Sequence, residues 1–157
     1  MKPLINDITT SFDNPPQFKE LAKKYPNRDY MYHQEFKQKQ ESYYSIFPLR
    51  IKNTQDTVFT LAHEITQEQG WKIVSVDKSQ SRIEAVATTS FFRFKDDIVI
   101  EIRVSKDGLI EVHMRSKSRL GKGDFGANAR RISLYLKCLE EKLTGTLHNA
   151  YTPSARK

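Results

Sequence analysis

Between Asp96 and Ser118 apolar and polar residues alternate almost without interruption. In DDIVIEIRV, Ile98, Ile100, Ile102 and Val104 share a face; in LIEVHMRS, Ile110, Val112 and Met114 do. A period of two is the pattern of a half-buried strand. Keeping both apolar sets on one side of an antiparallel pair requires paired residue numbers that sum to an even value. The loop Lys106-Asp107-Gly108 meets that demand and puts Gly108 at the left-handed position that such loops favour. Arg103 then faces Glu111, Glu101 faces His113 and Asp97 faces Lys117, which makes the polar face a ladder of complementary pairs. The simplest expectation for that face is a solvated surface, each pair stabilising by well under ~1 kcal/mol.

Upstream, WKIVSV and RIEAVATT flank the turn DKSQ and predict two more strands. SIFPLRI predicts another, with Phe47, Leu49 and Ile51 on one face; Pro48 cannot donate a ladder bond, so an edge position is expected. NTQDTVFTLAHEITQEQG reads as a helix. Asn53 or Thr54 is its N-cap, Val58, Leu61, Ala62 and Ile65 are its stripe, and Gly70 is its stop. A closing helix is expected from about Phe125 to Leu143, with Phe125, Ala129, Ile132, Leu136, Leu139 and Leu143 as the apolar stripe. The predicted order is β-α-β-β-β-β-α. This is an α+β layer in which a curled, antiparallel five-stranded sheet carries two helices on one face, similar to TATA-binding-protein-like and helix-grip architectures. Residues 44–146 form this single domain. Residues 1–43 form an N-terminal arm, ordered only where its aromatics dock, and 147–157 a flexible basic tail.

Composition narrows the function only a little. The 157 residues suit one domain, while 38% hydrophobic content and a mean hydropathy of -0.65 point to an extended arm beside the core. Cys138 is the single cysteine, so no intramolecular disulfide and no cysteine-based metal cluster can form; its apolar helical context suggests a buried thiol. No apolar run approaches the ~18 residues of a membrane span, and the opening MKPLINDITT has no secretory apolar core. The expected location is cytoplasmic, or extracytoplasmic or membrane-associated if an N-terminal anchor has been trimmed. The net charge of +7 is spread over the arm, residues 115–131 and the tail, and favours anions in general.

Candidate chemistry concentrates in RSKSRLGKGDFGANARR, residues 115–131. Asp124 can cap the closing helix, and the glycine-rich, basic SRLGKG arrives at that helix N-terminus as an anion-binding loop would. Neither Walker A spacing nor a dinucleotide fingerprint is present. Asp96, Asp97, Arg115, Ser116, Ser118, Arg119, Gly121, Lys122, Asp124, Asn128 and Arg131 are expected at one corner of the sheet. Arg–carboxylate pairs there would tie loop, strand and helix together, which is the preferred reading over a ligand site. Adjacent strand residues point to opposite faces, so Asp96 and Asp97 cannot form a catalytic dyad on their own. His33, His63, His113 and His148 lie in different elements with no metal-binding spacing. No catalytic residue, metal or cofactor is assigned. Phe91, Phe92 and Phe94 are expected to plug the open end of the helix–sheet sandwich; the alternative is an aromatic lip on an apolar cavity.

With these residues in view, the chain resembles the domain-of-unknown-function 1499 family. The resemblance rests on an F-x-F-x-D-D segment and an R-S-x-S-R-x-G-x-x-D-x-G-x-N-x-x-R-I run. Phe92, Phe94, Asp96, Asp97, Arg115, Ser116, Ser118, Arg119, Gly121, Asp124, Gly126, Asn128, Arg131 and Ile132 match them. INDITTSFDNPPQF and AVATT fit as well, so the likeness extends over nearly the whole chain. It implies a bacterial or plastid protein and no particular reaction, substrate or cofactor. Many members carry a hydrophobic N-terminal anchor or lipoprotein signal. The function expected here is a non-enzymatic binding or scaffolding domain for an anionic or lipid-like ligand, a small molecule or a lipid headgroup. The alternatives are a hydrolase-like enzyme using Asp97 or Asp124 with Arg115 and Arg119, and nucleic-acid binding through the basic loop and arm, which the spread of charge disfavours.

Overall fold

The structure is a computed structural model that describes residues 3–149. In chain order its elements are β1 (Asp7–Thr9), α1 (Glu20–Lys24), α2 (Glu35–Tyr43), β2 (Leu49–Ile51), α3 (Gln55–Glu68), β3 (Lys72–Asp77), β4 (Arg82–Thr88), β5 (Lys95–Val104), β6 (Ile110–Ser118) and α4 (Ala127–Asn149). The tail expected at 147–157 lies outside the described residues from Ala150 onward.

The long hairpin of β5 and β6 is the frame. Its register is the one that alternation demands, with Arg103 opposite Glu111, Glu101 opposite His113 and Asp97 opposite Lys117. Gly108 turns the hairpin at φ +82°. β4 pairs with β5, and β3 with β4, through a bulge between Ile73 and Ser75. The outer edge of β6 is divided. β2 pairs with Ile110–Val112 and β1 with Arg115–Lys117, both antiparallel.

The five-stranded, curled sheet with two helices is therefore corrected. Among the described residues the sheet has six strands in an open array and there are four helices. The added strand is Asp7–Thr9, too short to show any alternation. The sheet does not wrap around a helix in the helix-grip manner, because β3 and the β1/β2 edge are never joined.

α3 and α4 do lie on the same face. Val58, Phe59, Ala62 and Ile65 of α3 and Ala129, Ile132, Tyr135, Leu136, Leu139 and Leu143 of α4 pack on Ile83, Ile98, Ile100, Ile102, Val112 and Met114. Thr54 is the N-cap of α3, accepting from Thr57 N–H at 3.2 Å. Tyr135 is fully buried, stacks on Trp71 at 5.6 Å and donates to the Ala62 carbonyl at 2.6 Å. Phe125 is not part of the stripe. It precedes α4 at φ +55° and is 77% exposed.

The opposite face is not the solvated ladder that the pattern suggested. Phe18 and Leu21 from the first 43 residues cover Val86 and Val99. The charged side chains between these apolar patches bind the backbone of the same segment. Glu84 accepts from Lys19 N–H at 2.8 Å and Glu20 N–H at 2.7 Å, so a strand carboxylate caps α1, which has no side-chain cap of its own. Glu101 accepts from Gln17 N–H, and Arg103 donates to the Asn14 carbonyl at 2.8 Å. Arg82 reaches the Gln17 carbonyl and Glu101.

Candidate functional site

Strand alternation divides the sequence-predicted corner into two clusters on opposite sides of the sheet. Asp96, Ser116 and Ser118 point toward α4. Asp97, Arg115 and Lys117 point toward the N-terminal segment.

On the helix side, Arg131 donates to Asp96 Oδ2 at 2.7 Å, to Asn128 Oδ1 at 2.8 Å and to Ser116 Oγ at 3.0 Å. Asn128 is fully buried; its amide nitrogen donates to Ser118 Oγ at 2.8 Å and to Asp124 Oδ2 at 2.7 Å. Asp124 also accepts from the Gly126 and Asn128 N–H groups at 2.8 and 3.1 Å. The chain's own carboxylate thus occupies the place at the start of α4 where an external anion would sit. Gly126 is required there. Its φ is +84°, and a Cβ would meet Arg130 at 3.0 Å and the Tyr44 hydroxyl at 3.2 Å. This half of the corner is a closed knot joining β5, β6 and α4.

On the other side Arg115 is completely buried. Its guanidinium pairs with the equally buried Asp7 through Nε at 2.9 Å and Nη2 at 2.7 Å, the two-pronged geometry that suits arginine. It also donates to the Pro16 and Tyr30 carbonyls at 3.3 and 2.9 Å and lies over the Phe18 and Tyr32 rings. Next to it Asp97 accepts from Arg119 Nε at 2.9 Å and from the Tyr30 hydroxyl at 2.7 Å. Burial first, then this bond to a carboxylate, pushes the Tyr30 phenol well above its ordinary value, so it stays a donor. Arg119 stacks on Tyr25 at 4.6 Å.

Sequence reasoning missed Asp7 and Tyr30. The available clue was physical: an arginine whose register places it opposite Val99 needs a carboxylate if that face is covered, and INDITT supplies one within an otherwise uncharged run.

Beside this ionic seam a cleft of about 210 Å³ opens to solvent. Asn6, Arg28, Asp29, Tyr30, Asp97, Lys117, Ser118 and Arg119 line it. Both of its carboxylates are already engaged, Asp97 as above and Asp29 by His33 at 2.6 Å. Lys117 lies 3.6 Å from Asp7. Gly121 and Lys122 lie in the loop beyond, and Lys122 is exposed.

The three phenylalanines do not plug the sandwich and do not line an apolar cavity. Phe91, Phe92 and Phe94 occupy the β4–β5 turn and are 86%, 68% and 49% exposed. An apolar groove of about 600 Å³ lies elsewhere, between α4 and residues 43–46. Among the described residues no group of His, Cys, Asp and Glu side chains could hold a metal ion, and no helix is long and apolar enough to cross a membrane.

Fold and site together define an α+β domain whose open sheet is sealed on its second face by ionic contacts to its own N-terminal segment. The chain belongs to the DUF1499 family, described as a protein of unknown function, whose profile matches residues 7–139. The match begins at Asp7, the residue that neutralises Arg115. A comparison with curated proteins gave no match.

Proposed function

We propose that this protein is a non-enzymatic binding domain that takes a small anionic group, phosphate-bearing or carboxylate-bearing, in the cleft beside the Asp7–Arg115 seam. The observation that carries the reading is the convergence there of Arg28, Lys117 and Arg119 on a cleft whose two carboxylates each already hold a side-chain hydrogen-bond partner. Arg28 is exposed, lines the cleft and is held over the Tyr25 ring at 4.8 Å; a guanidinium so placed suits an oxyanion. Asn6, Ser118 and Tyr30 add polar groups at the wall. A hydrolase would need a carboxylate at liberty to act as general base. Asp97 and Asp124, the two candidates, are each committed to two donors or more, which favours binding over catalysis.

Calorimetric titration with inorganic pyrophosphate and with glycerol phosphate tests this. Arg28→Gln and Lys117→Gln should each weaken binding by about tenfold, the loss of one charge-assisted hydrogen bond. Lys122→Gln, in the adjoining loop, should leave it unaltered. Wild-type affinity in both cleft variants, or no heat with either anion, rejects the cleft as the site.

A further inference from the structure

The turn between β4 and β5 is built to hold three phenyl rings out of the protein. Thr89 N–H donates to the Phe94 carbonyl at 2.8 Å, Arg93 N–H to the Thr89 carbonyl at 3.1 Å, and Phe94 N–H to Thr89 Oγ1 at 2.9 Å. Arg93 sits at φ +58°, a conformation uncommon for a side chain of this kind. The closed turn aligns Phe91 edge-on to Phe92 at 4.9 Å and Phe92 flat on Phe94 at 5.4 Å. Leu120, in the loop after β6, is 70% exposed, and a single hollow shared by Phe94, Leu120, Arg93, Lys95, Arg28 and Arg119 joins the two loops into one surface. Scattered exposed apolar residues need no explanation, but four on two adjoining loops do.

Charge gives the surface its direction. Residues 88–95 and 119–123 hold Arg93, Lys95, Arg119 and Lys122 and not one acidic residue. The carboxylates that follow these loops in sequence, Asp96, Asp97 and Asp124, hold partners within the protein. An apolar tip within a basic collar is complementary to the outer layer of an anionic bilayer, where rings enter the acyl boundary and cations meet phosphates. A projecting tip also suits a deformable medium better than the preformed pocket of a folded protein.

We propose that this end of the molecule docks on anionic lipid bilayers, with Phe91, Phe92, Phe94 and Leu120 inserted and Arg93, Lys95 and Lys122 at the headgroups. Arg28 and Arg119 border both surfaces, but the residues assigned here to the bilayer are not among those lining the cleft, so the two readings are tested separately.

The test is sedimentation of the full chain with vesicles of phosphatidylcholine alone or mixed with phosphatidylglycerol. Binding to the mixed vesicles is expected, with at least about tenfold less to the zwitterionic ones, since one weak anchoring signal is insufficient alone. Phe91→Ser/Phe92→Ser should lower the partition coefficient by about tenfold or more. Arg93→Gln and Lys95→Gln should each lower it about fivefold. Lys52→Gln and Lys106→Gln, exposed at the opposite end of the sheet, are the controls and should have no effect. Equal losses from the control and tip variants would reduce the effect to overall charge and overturn the proposal. Failure to bind mixed vesicles overturns it as well, including the case where the phenylalanine variant instead abolishes self-association. Arg28→Gln and Lys117→Gln should leave vesicle binding largely in place, so failure of the cleft and failure of the tip give different results.

Discussion

On the side of α3 and α4 the sheet is covered by hydrocarbon: Ile98, Ile100, Val112 and Met114 meet isoleucines and leucines from two amphipathic helices. On the other side Phe18 and Leu21, with Tyr25, Tyr30 and Tyr32 beside them, supply a smaller apolar cover, and much of the closure is made by Arg115, Glu84, Glu101, Arg82 and Arg103. Apolar packing is additive and tolerant of exchange within limits of volume. A buried charge is neither: removing its partner strands the remaining ion. The two faces should therefore fail differently.

The sharpest break in that comparison is Arg115→Ala. It leaves Asp7 charged and buried, and a loss of about 3–5 kcal/mol is expected in urea unfolding. The paired change Asp7→Leu/Arg115→Met should recover most of it, because hydrocarbon of similar volume replaces both ions. Ile100→Ala, on the helix face, should cost about 3 kcal/mol by transfer and cavity terms, with no partner change able to rescue it. Glu84→Gln weakens the cap of α1 by about 1 kcal/mol. Hydrogen exchange should show that loss in residues 19–24 while the amides of β5 and β6 keep their protection.

A pH measurement separates the faces more gently. His113, on the ionic face, is buried and hydrogen-bonded to Thr10 Oγ1 at 3.2 Å. Burial foremost, then the Arg103 charge, holds its imidazole below the ordinary 6.5, while Glu111 acts in the opposite sense. The unfolded chain therefore takes up a proton first. Stability should begin to fall as pH drops through 6.5 and continue falling to the lower folded value. His113→Gln should flatten that window relative to wild type; an unchanged slope would remove His113 as the cause. The smallest effect belongs to Phe91→Ser, within about 0.5 kcal/mol, because the ring packs on nothing that folding requires.

The helix face was legible in the sequence because periodicity records burial against hydrocarbon. Ile98 to Val104 and Ile110 to Met114 set the hairpin register, and Val58 to Ile65 and Ala129 to Leu143 set the faces of α3 and α4. The ionic face was not legible, because a charged residue that binds backbone carries the same letter as one in water. Glu101 and Arg103 gave no sign that they hold Gln17 and Asn14. The candidate site was half readable for the same reason. Asp124, Asn128, Arg131 and Asp96 are close in sequence or in strand pairing, and their side chains lie in one hydrogen-bonded group. Arg115 and Asp97 were assigned to that same cluster, but alternation sends them through the sheet to Asp7 and Tyr30, partners more than sixty residues distant. The phenylalanines misled because exposed rings on a turn follow no period.

The divided outer edge of β6 has a consequence for synthesis. The first strand of the chain pairs with Arg115–Lys117, so during translation Asp7–Thr9 must wait while more than a hundred residues emerge from the ribosome. Until the two strands pair, both present bare amides and carbonyls to any neighbouring nascent chain, and the Arg115 guanidinium stays in water. A product truncated before β6 would therefore leave Asp7–Thr9 without its pairing edge.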